Sequence, residues 1–185
     1  MVEPLLHFAA PFVTLKALGL DWKSALFASL IALTPDLDVL FSVHRSFSHS
    51  AIVLLAIVIP ILILTRKNAT IRNITLLAAF GIATHLILDL FQTGTPLLWP
   101  LYNRSIEINT SIDLHIGSPS NIIPSVAVET KPTNFASFQT FDAPLITAEG
   151  TGIALVLLAP ILFQVVSHQK RANRKASTKR RRIGR

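Results

Sequence analysis

The sequence predicts an all-α membrane protein, a polytopic helical bundle with an extracytoplasmic loop. Hydrophobic residues make up 51% of its 185 residues and charged residues only 15%, and its mean hydropathy is +0.55. These values are too apolar for an ordinary soluble protein. Long uncharged stretches and an uneven distribution of Lys and Arg are the second and third observations. Together they favour about five spans, or about three spans and a re-entrant hairpin.

The N-terminal third contains two short apolar stretches. Residues 4–20 are apolar apart from His7 and Lys16, and the uncharged stretch 24–34 follows them. These stretches form either two thin spans or a re-entrant hairpin. A cleavable signal peptide is not expected, because Glu3 takes the place of a basic n-region. We therefore expect the segment to remain in the protein.

Three further stretches are predicted to be transmembrane helices. Residues 50–65 and 150–167 carry no charge, and residues 73–92 are apolar except for His85 and Asp89. With its flanks, each stretch approaches the roughly 20 residues that cross ~30 Å of hydrocarbon. A proline within the first two stretches is compatible with this prediction, because neighbouring helices can satisfy the backbone groups that it frees.

Lys and Arg concentrate on one side of this predicted topology. That side holds fourteen of the seventeen basic residues, namely Lys16, Lys23, three residues of 66–72 and nine of 170–185. Since Lys and Arg are retained in short cytoplasmic loops, we expect the C-terminus in the cytoplasm. The segment 93–149 is then extracytoplasmic, and the predicted location is the plasma membrane.

The chain is predicted to divide into four parts: a membrane-embedded core with a metal site at 1–100, an extracytoplasmic loop at 101–149, a last transmembrane helix at 150–167 and a basic cytoplasmic tail at 168–185. The loop is long enough to act as a lid, and short strands over the site are expected in it. The tail is expected to be disordered and to meet anionic lipid headgroups. Nucleic acid is the less favoured partner for the tail.

Seven potential metal ligands are predicted to lie towards the outer side of the membrane: His7, Asp36, Asp38, His44, His49, His85 and Asp89. Ionisable groups inside a membrane are costly, so we expect them to be paired or metal-bound. His85 and Asp89 are spaced i, i+4 and share one helix face. Because the chain has no cysteine, its ligands must be His and carboxylate, which suit a divalent cation: zinc first, with manganese or iron as alternatives.

Seven donors exceed the four of a tetrahedral zinc site. Either a second metal binds, or some of these groups orient the ligands and act as the general base. Both arrangements lead to hydrolysis by a metal-activated water, with Asp36, Asp38, His49 and Arg45 as the predicted catalytic residues. Arg45 either clamps a phosphate with its planar fork or forms an ion pair with Asp36 or Asp38.

Three motifs carry a resemblance to a known family. LTPDLDVL, HRSFSHS and HLILDLFQTGTPLLWP, in this order between about residues 5 and 100, resemble the membrane-bound metal-dependent hydrolases of the YdjM/YbcI type. The resemblance places the seven potential ligands in the metal site and matches Arg45 to the family's Arg. Ser46 stands where the family motif usually has Gly. The segment after the last motif helix is matched by Gly94, Pro96, Trp99 and Pro100.

This family is itself similar to zinc-dependent phospholipase C and to P1-type nucleases, which cut phosphoesters at zinc bound by His and Asp. The resemblance implies a hydrolase that acts on a phosphoester of a lipid-like substrate among membrane lipids. The alternatives are a transporter-like metal- or proton-binding protein and a non-catalytic scaffold. The inner halves of 50–65 and 74–92 are nearly apolar, which favours a one-sided site over a transport pathway.

Overall fold

A computed structural model describes residues 4–43, 45–117, 121–135, 137, 139 and 147–163 of the chain. Within them lie five α-helices: α1 (Pro4–Ala17), α2 (Trp22–Ile31), α3 (Ala51–Leu64), α4 (Ala69–Leu90) and α5 (Ala148–Phe163). Two short 3-10 helices, Pro35–Phe41 and Phe47–His49, connect α2 to α3. Two strands, β1 (Arg104–His115) and β2 (Asn121–Pro132), separate α4 from α5.

Side-chain caps determine where α2, α3 and α4 begin. Asp21 accepts two backbone N–H groups of the first turn of α2, at 2.9 and 3.0 Å. Ser50 caps α3 and Asn68 caps α4 in the same way. These caps satisfy N–H groups that have no partner within the helix. Because Ser50 directly follows His49, its cap also fixes the position of His49 at the start of α3.

The core lies where α1, α2, α4 and α5 meet. Its buried members are Phe12 and Leu15 of α1, Ala25 and Ala28 of α2, and Ile161 of α5, with side chains of α4 packed against them. Helix α3 instead lies along α4, and none of its described residues is buried. An apolar helix that leaves its side chains exposed is typical of contact with lipid. The fold therefore has a small core, with apolar side chains facing its surroundings.

Gly81 allows α4 to approach the backbone of α2 closely. A Cβ atom at this position would lie 2.2 Å from the carbonyl oxygen of Ala28. Small residues at such a crossing are typical of helix pairs in membranes. Gly81 lies about one turn before His85 on α4. The contact therefore sets the distance between α4 and the segment that follows α2.

We expect Gly81→Ala to lower the free energy of unfolding by about 1–3 kcal/mol, because the added methyl group forces the two backbones apart. Gly152→Ala in α5 is the matched control, since no atom lies within 4 Å of a Cβ added there. The control is expected to be neutral or to stabilise by up to ~1 kcal/mol. Denaturant unfolding in detergent, followed by circular dichroism, compares the two variants. Equal stabilities would contradict a tight crossing at Gly81.

The long segment after α4 forms a β-hairpin. Strands β1 and β2 pair antiparallel along their full length, with His115 opposite Asn121 near the turn. At the other end, Ile106 of β1 pairs with Thr95 of the segment that follows α4. Apolar and polar side chains alternate along β1, as expected of a strand with two different faces. The pairing with Thr95 holds the base of the hairpin beside the end of α4.

The prediction of an all-α fold is wrong, because the described residues include this two-stranded sheet. The stretch 101–149 is expected from its Ser, Thr, Asn and Pro content to be a loop with short strands, whereas β1 and β2 each have 12 residues. The alternation of β-branched with polar residues carries the strand signal. In a composition this polar, that signal is weak.

The prediction of about five spans, or of three spans and a re-entrant hairpin, is also wrong. In the part of the chain that the structure describes, two segments are long and apolar enough to cross a membrane: Trp22–Phe41 and Ala69–Leu90. The predicted span at 50–65 forms a short apolar helix, α3, and the described part of the predicted span at 150–167 lies in the apolar helix α5. With 14 residues, α3 is about 21 Å long, less than the ~30 Å of hydrocarbon. The predicted tail 168–185 lies outside the described residues.

Candidate metal centre

Four segments of the chain bring predicted ligands together at one end of the helices. These segments are α1, the two 3-10 helices and the last turns of α4. The three histidines among them are fully buried. The six residues brought together are His7 on α1, Asp36 and Asp38 on the first 3-10 helix, His49 on the second, and His85 and Asp89 on α4.

Four of these residues form a compact group: Asp36, His49, His85 and Asp89. Each offers one ligand atom, and these atoms all lie within 4.8 Å of one another. The two histidine Nε2 atoms are 3.2 Å apart. His49 Nε2 lies 3.4 Å from an oxygen of each carboxylate, and His85 Nε2 lies 3.5 Å from the same two oxygens. We call these four residues the four-donor group.

The separations within the four-donor group fit a tetrahedral metal site. The edge of a ligand tetrahedron is roughly 1.6 times the metal–ligand distance, so zinc ligands at about 2.0–2.1 Å lie about 3.3–3.4 Å from one another. The five measured distances run from 3.2 to 3.5 Å. Five of the six separations between donor atoms therefore match those of a cation of this size, and the sixth, between the two carboxylates, is at most 4.8 Å.

The charges around the group also favour a divalent cation. The carboxylates of Asp36, Asp38 and Asp89 lie beside the imidazoles, and that of Asp89 also lies beside the guanidinium of Arg45. A cation of charge +2 brings the sum of these charges to zero when the imidazoles are neutral. Buried carboxylates without compensating charge are costly. A cation between them gives a physical reason for Asp36 and Asp89 to share one buried group.

Asp38 lies on the other side of the His49 ring from the four-donor group. Its Oδ2 is 3.3 Å from His49 Nδ1. The same oxygen accepts the backbone N–H of Ser46 at 2.8 Å and the hydroxyl of Ser48 at 3.0 Å. A carboxylate in this position fixes the tautomer and orientation of a metal-binding histidine. The geometry therefore favours a supporting role for Asp38, with His49 Nε2 directed at the metal.

The second oxygen of Asp89 faces two other predicted site residues. Asp89 Oδ1 lies 3.3 Å from Arg45 Nη2 and 3.5 Å from His7 Nε2. The ring of His7 stacks on that of His85 with 3.9 Å between their centroids. Arg45 also donates to the carbonyl of Gly94 at 3.3 Å. Arg45 thus pairs with a carboxylate other than the two predicted for it, because Asp89 reaches it from the last turn of α4.

The seventh predicted ligand and two residues of the hairpin do not belong to the described cluster. His44 lies outside the described residues. Asp113 and His115, spaced i, i+2, are exposed on β1. Sequence reasoning misses the part that Ser48 plays at the site, since its hydroxyl lies 3.0 Å from His49 Nδ1. Its position next to a predicted ligand is the only signal that the sequence offers.

We expect metal binding to be coupled to a proton on His49. Burial lowers the pKa of His49, but the carboxylates of Asp36 and Asp38 outweigh burial and raise that pKa to about 9. At pH 7 the metal-free imidazole is therefore protonated, and a cation that binds it must displace the proton. Metal affinity should rise by about tenfold per pH unit from pH 7 to about pH 9 and then level off.

Isothermal titration calorimetry in buffers of different ionisation enthalpy measures this coupling. About one proton should be released per metal ion at pH 7, and fewer at pH 9.5. An affinity that does not change between pH 7 and pH 9 would contradict a protonated His49 in the metal-free protein.

The described residues combine two segments that are long and apolar enough to cross a membrane with a buried cluster of His and Asp that could hold a metal ion. The chain belongs to the YdjM inner membrane protein family, whose profile matches residues 4–172. This match confirms the resemblance to YdjM-type proteins and a membrane location, while the hydrolase part of that resemblance stays a prediction. Neither the curated proteins nor the solved structures include a significant match.

Proposed function

We propose that this protein is a membrane-bound metal-dependent hydrolase that cleaves a phosphoester of a lipid-like substrate. The four-donor group supports this function, because its spacing fits a tetrahedral cation and its residues are those that hydrolytic zinc sites use. Four protein donors fill a tetrahedral zinc site, so a catalytic water needs a fifth position or the place of one donor. A divalent cation bound with such an open position would lower the pKa of that water towards about 7 and polarise a phosphoryl oxygen. Zinc is the favoured cation, and the same donors accept manganese or iron.

Asp36 lies at the entrance to the group. Its side chain is 22% exposed, whereas that of Asp89 is 2% exposed and those of the two histidines are fully buried. Solvent and substrate therefore reach the group from the side of Asp36. We infer that Asp36, the most exposed of the four donors, would yield its position on the cation to the attacking water. Its carboxylate would then accept the proton of that water, because a general base must lie within hydrogen-bond reach of it.

We assign phosphate binding to Arg45. Its two terminal nitrogens are held by Asp89 and by the carbonyl of Gly94. Its Nε is buried and has no hydrogen-bond partner among the described residues. A guanidinium fixed in this way can direct a remaining donor at an anionic oxygen. In this proposal Asp89 both ligates the cation and orients Arg45, so phosphate binding and metal binding are coupled.

We propose that the site faces the extracytoplasmic side of the plasma membrane. Arg66, Lys67 and Arg72 lie at or just before the start of α4, whereas His85 and Asp89 lie near its end. With 22 residues, α4 is about 33 Å long, so the two groups lie near opposite membrane surfaces. Because Lys and Arg are retained on the cytoplasmic side, the ligands lie on the outer side.

Metal content and hydrolysis, measured on the same preparation, test this function. Protein purified in detergent without chelator should hold about one zinc, manganese or iron ion per chain by inductively coupled plasma mass spectrometry. It should hydrolyse a lipid phosphoester, lose that activity with chelator and regain it when metal is restored. Stoichiometric metal without hydrolysis of lipid phosphoesters would overturn the enzyme assignment and leave a metal-binding membrane protein. Absence of specific metal would overturn both.

A further inference from the structure

An apolar pocket lies beside the four-donor group. Its volume is about 570 Å³, within the range of sites that bind small molecules. Thr34 and the first 3-10 helix, residue 43, residues 46–48 and one residue after β2 form its walls. Its apolar lining consists of Pro35, Leu37, Phe41, Val43, Phe47 and Phe135.

One part of the pocket wall is polar and adjoins the metal centre. Asp38 and Ser48 both line the pocket. The same two side chains lie 3.3 and 3.0 Å from Nδ1 of His49, a member of the four-donor group. A single layer of side chains therefore separates the pocket from the group. A molecule in the pocket lies against the residues that orient His49.

The rim of the pocket is open to an apolar environment. Leu37, Phe41 and Phe47 line the pocket and are nevertheless 53%, 81% and 60% exposed. The first two belong to Trp22–Phe41, one of the two segments that could cross the membrane. In a membrane protein these exposed side chains meet lipid. A hydrocarbon chain can therefore pass from the bilayer into the pocket without crossing water, which removes the cost of hydrating it.

We propose that this pocket receives one hydrocarbon chain of a lipid phosphoester whose phosphate lies at the metal centre. The proposal rests on the proposed function and identifies where the substrate of that site places its hydrocarbon chain. Pro35 and Leu37 line the pocket and flank Asp36, which lies at the entrance to the four-donor group. A chain that leaves the pocket beside Asp36 therefore has its phosphate next to that group, which points to a substrate whose chain begins close to its phosphate. A water-soluble phosphoester can reach the same metal centre, but it gains no binding free energy from the six apolar side chains of the pocket.

Photo-crosslinking with a dodecyl phosphate that carries a diazirine at the end of its chain tests the proposal. The probe is added to the metal-loaded protein in phosphatidylcholine vesicles, and labelled peptides are identified by mass spectrometry. We expect labels within 34–48 and at Phe135. Unlabelled dodecyl phosphate should compete with the probe, whereas inorganic phosphate should not.

Val43→Trp fills the pocket and should reduce this labelling by about tenfold, because a well-filled space resists further insertion. The matched control is Leu55→Trp on α3, where the side chain is 49% exposed. Both variants should retain the metal content of the parent protein. If Val43→Trp does not fold, Leu37→Trp blocks the pocket at its half-exposed rim.

Labels confined to the lipid-exposed side chains of α3, or labelling that Val43→Trp leaves unchanged, would overturn the pocket assignment. Competition by inorganic phosphate alone would do the same, since it would show a phosphate site without a chain site. Failure of the proposed function is a different result: pocket labelling that persists in a protein without metal or hydrolysis. Conversely, hydrolysis that is equal for soluble and lipid phosphoesters, and insensitive to Val43→Trp, would keep the hydrolase and remove the pocket from it.

Discussion

A double variant, His49→Ala with Asp89→Ala, is expected to lose metal binding. The variant removes one nitrogen ligand atom, from His49, and one oxygen ligand atom, from Asp89, of the four-donor group. Loss of a residue that only supports a ligand typically costs about 10–100-fold in affinity, so loss of two ligands should exceed about 100-fold. Metal per chain after purification and competition with a fluorescent chelator both measure the change.

The matched control is Asp113→Ala with His115→Ala. It also removes one Asp and one His, but from exposed positions on β1. The control should retain the metal content of the parent protein. Full metal content in the His49→Ala, Asp89→Ala variant would show that the cation binds elsewhere in the protein. Equal loss in both variants would also contradict the assigned site.

Asp38→Asn is expected to bind metal at the same stoichiometry with about 10–100-fold lower affinity. The amide keeps the size of the side chain but removes the charge that faces His49 Nδ1 at 3.3 Å. It also offers an NH₂ group where the ring needs an acceptor. His49 is then no longer held in the tautomer that presents Nε2 to the metal. Calorimetric titration gives stoichiometry and affinity in one measurement.

Asp36→Asn is the companion variant, because Asp36 offers an oxygen to the four-donor group itself. It should lower affinity more than Asp38→Asn does. The opposite order, with metal lost from Asp38→Asn and retained by Asp36→Asn, would make Asp38 the ligand and Asp36 the supporting residue. Circular dichroism of both variants verifies that the helices are unchanged.

The helices were the predictable part of this fold. An uncharged run such as 50–65 forms a helix because a helix pairs its own backbone N–H and C=O groups within one segment. Helix α3 occupies most of this run. Helix length was not predictable, because Ser50 caps α3 at one end and Thr65 closes it at the other. Local hydrogen bonds therefore make this helix too short to cross a bilayer. Hydropathy alone does not predict these hydrogen bonds.

The hairpin was harder to predict than the helices. Strands are stabilised by partners across the sheet, and the partner of β1 begins several residues further along the chain. Within one strand, alternating residues such as Ile106 and Glu107 give only a weak pattern. The sheet also depends on Thr95, which lies outside the hairpin.

Most of the candidate site could be predicted from residue types alone. A chain without cysteine that carries His and Asp at the ends of apolar segments has few other reasons to do so, and six of the seven predicted ligands lie together. The division of roles could not be predicted. Whether Asp36 or Asp38 belongs to the four-donor group depends on the direction in which each side chain leaves the 3-10 helix. In this helix Asp38 accepts hydrogen bonds from Ser46 and Ser48, so Asp36 is the residue that joins the group.

The four-donor group also has a consequence for the lifetime of the protein. A cation held by Asp36, His49 and α4 acts as a cross-link between three segments, and it joins His49 to His85 across 36 positions of the chain. Such a link stabilises a fold by restricting the unfolded chain. The chain has no cysteine with which a disulfide could do this. We therefore expect cells starved of the metal to lose the protein itself to proteolysis, so that its abundance follows metal supply.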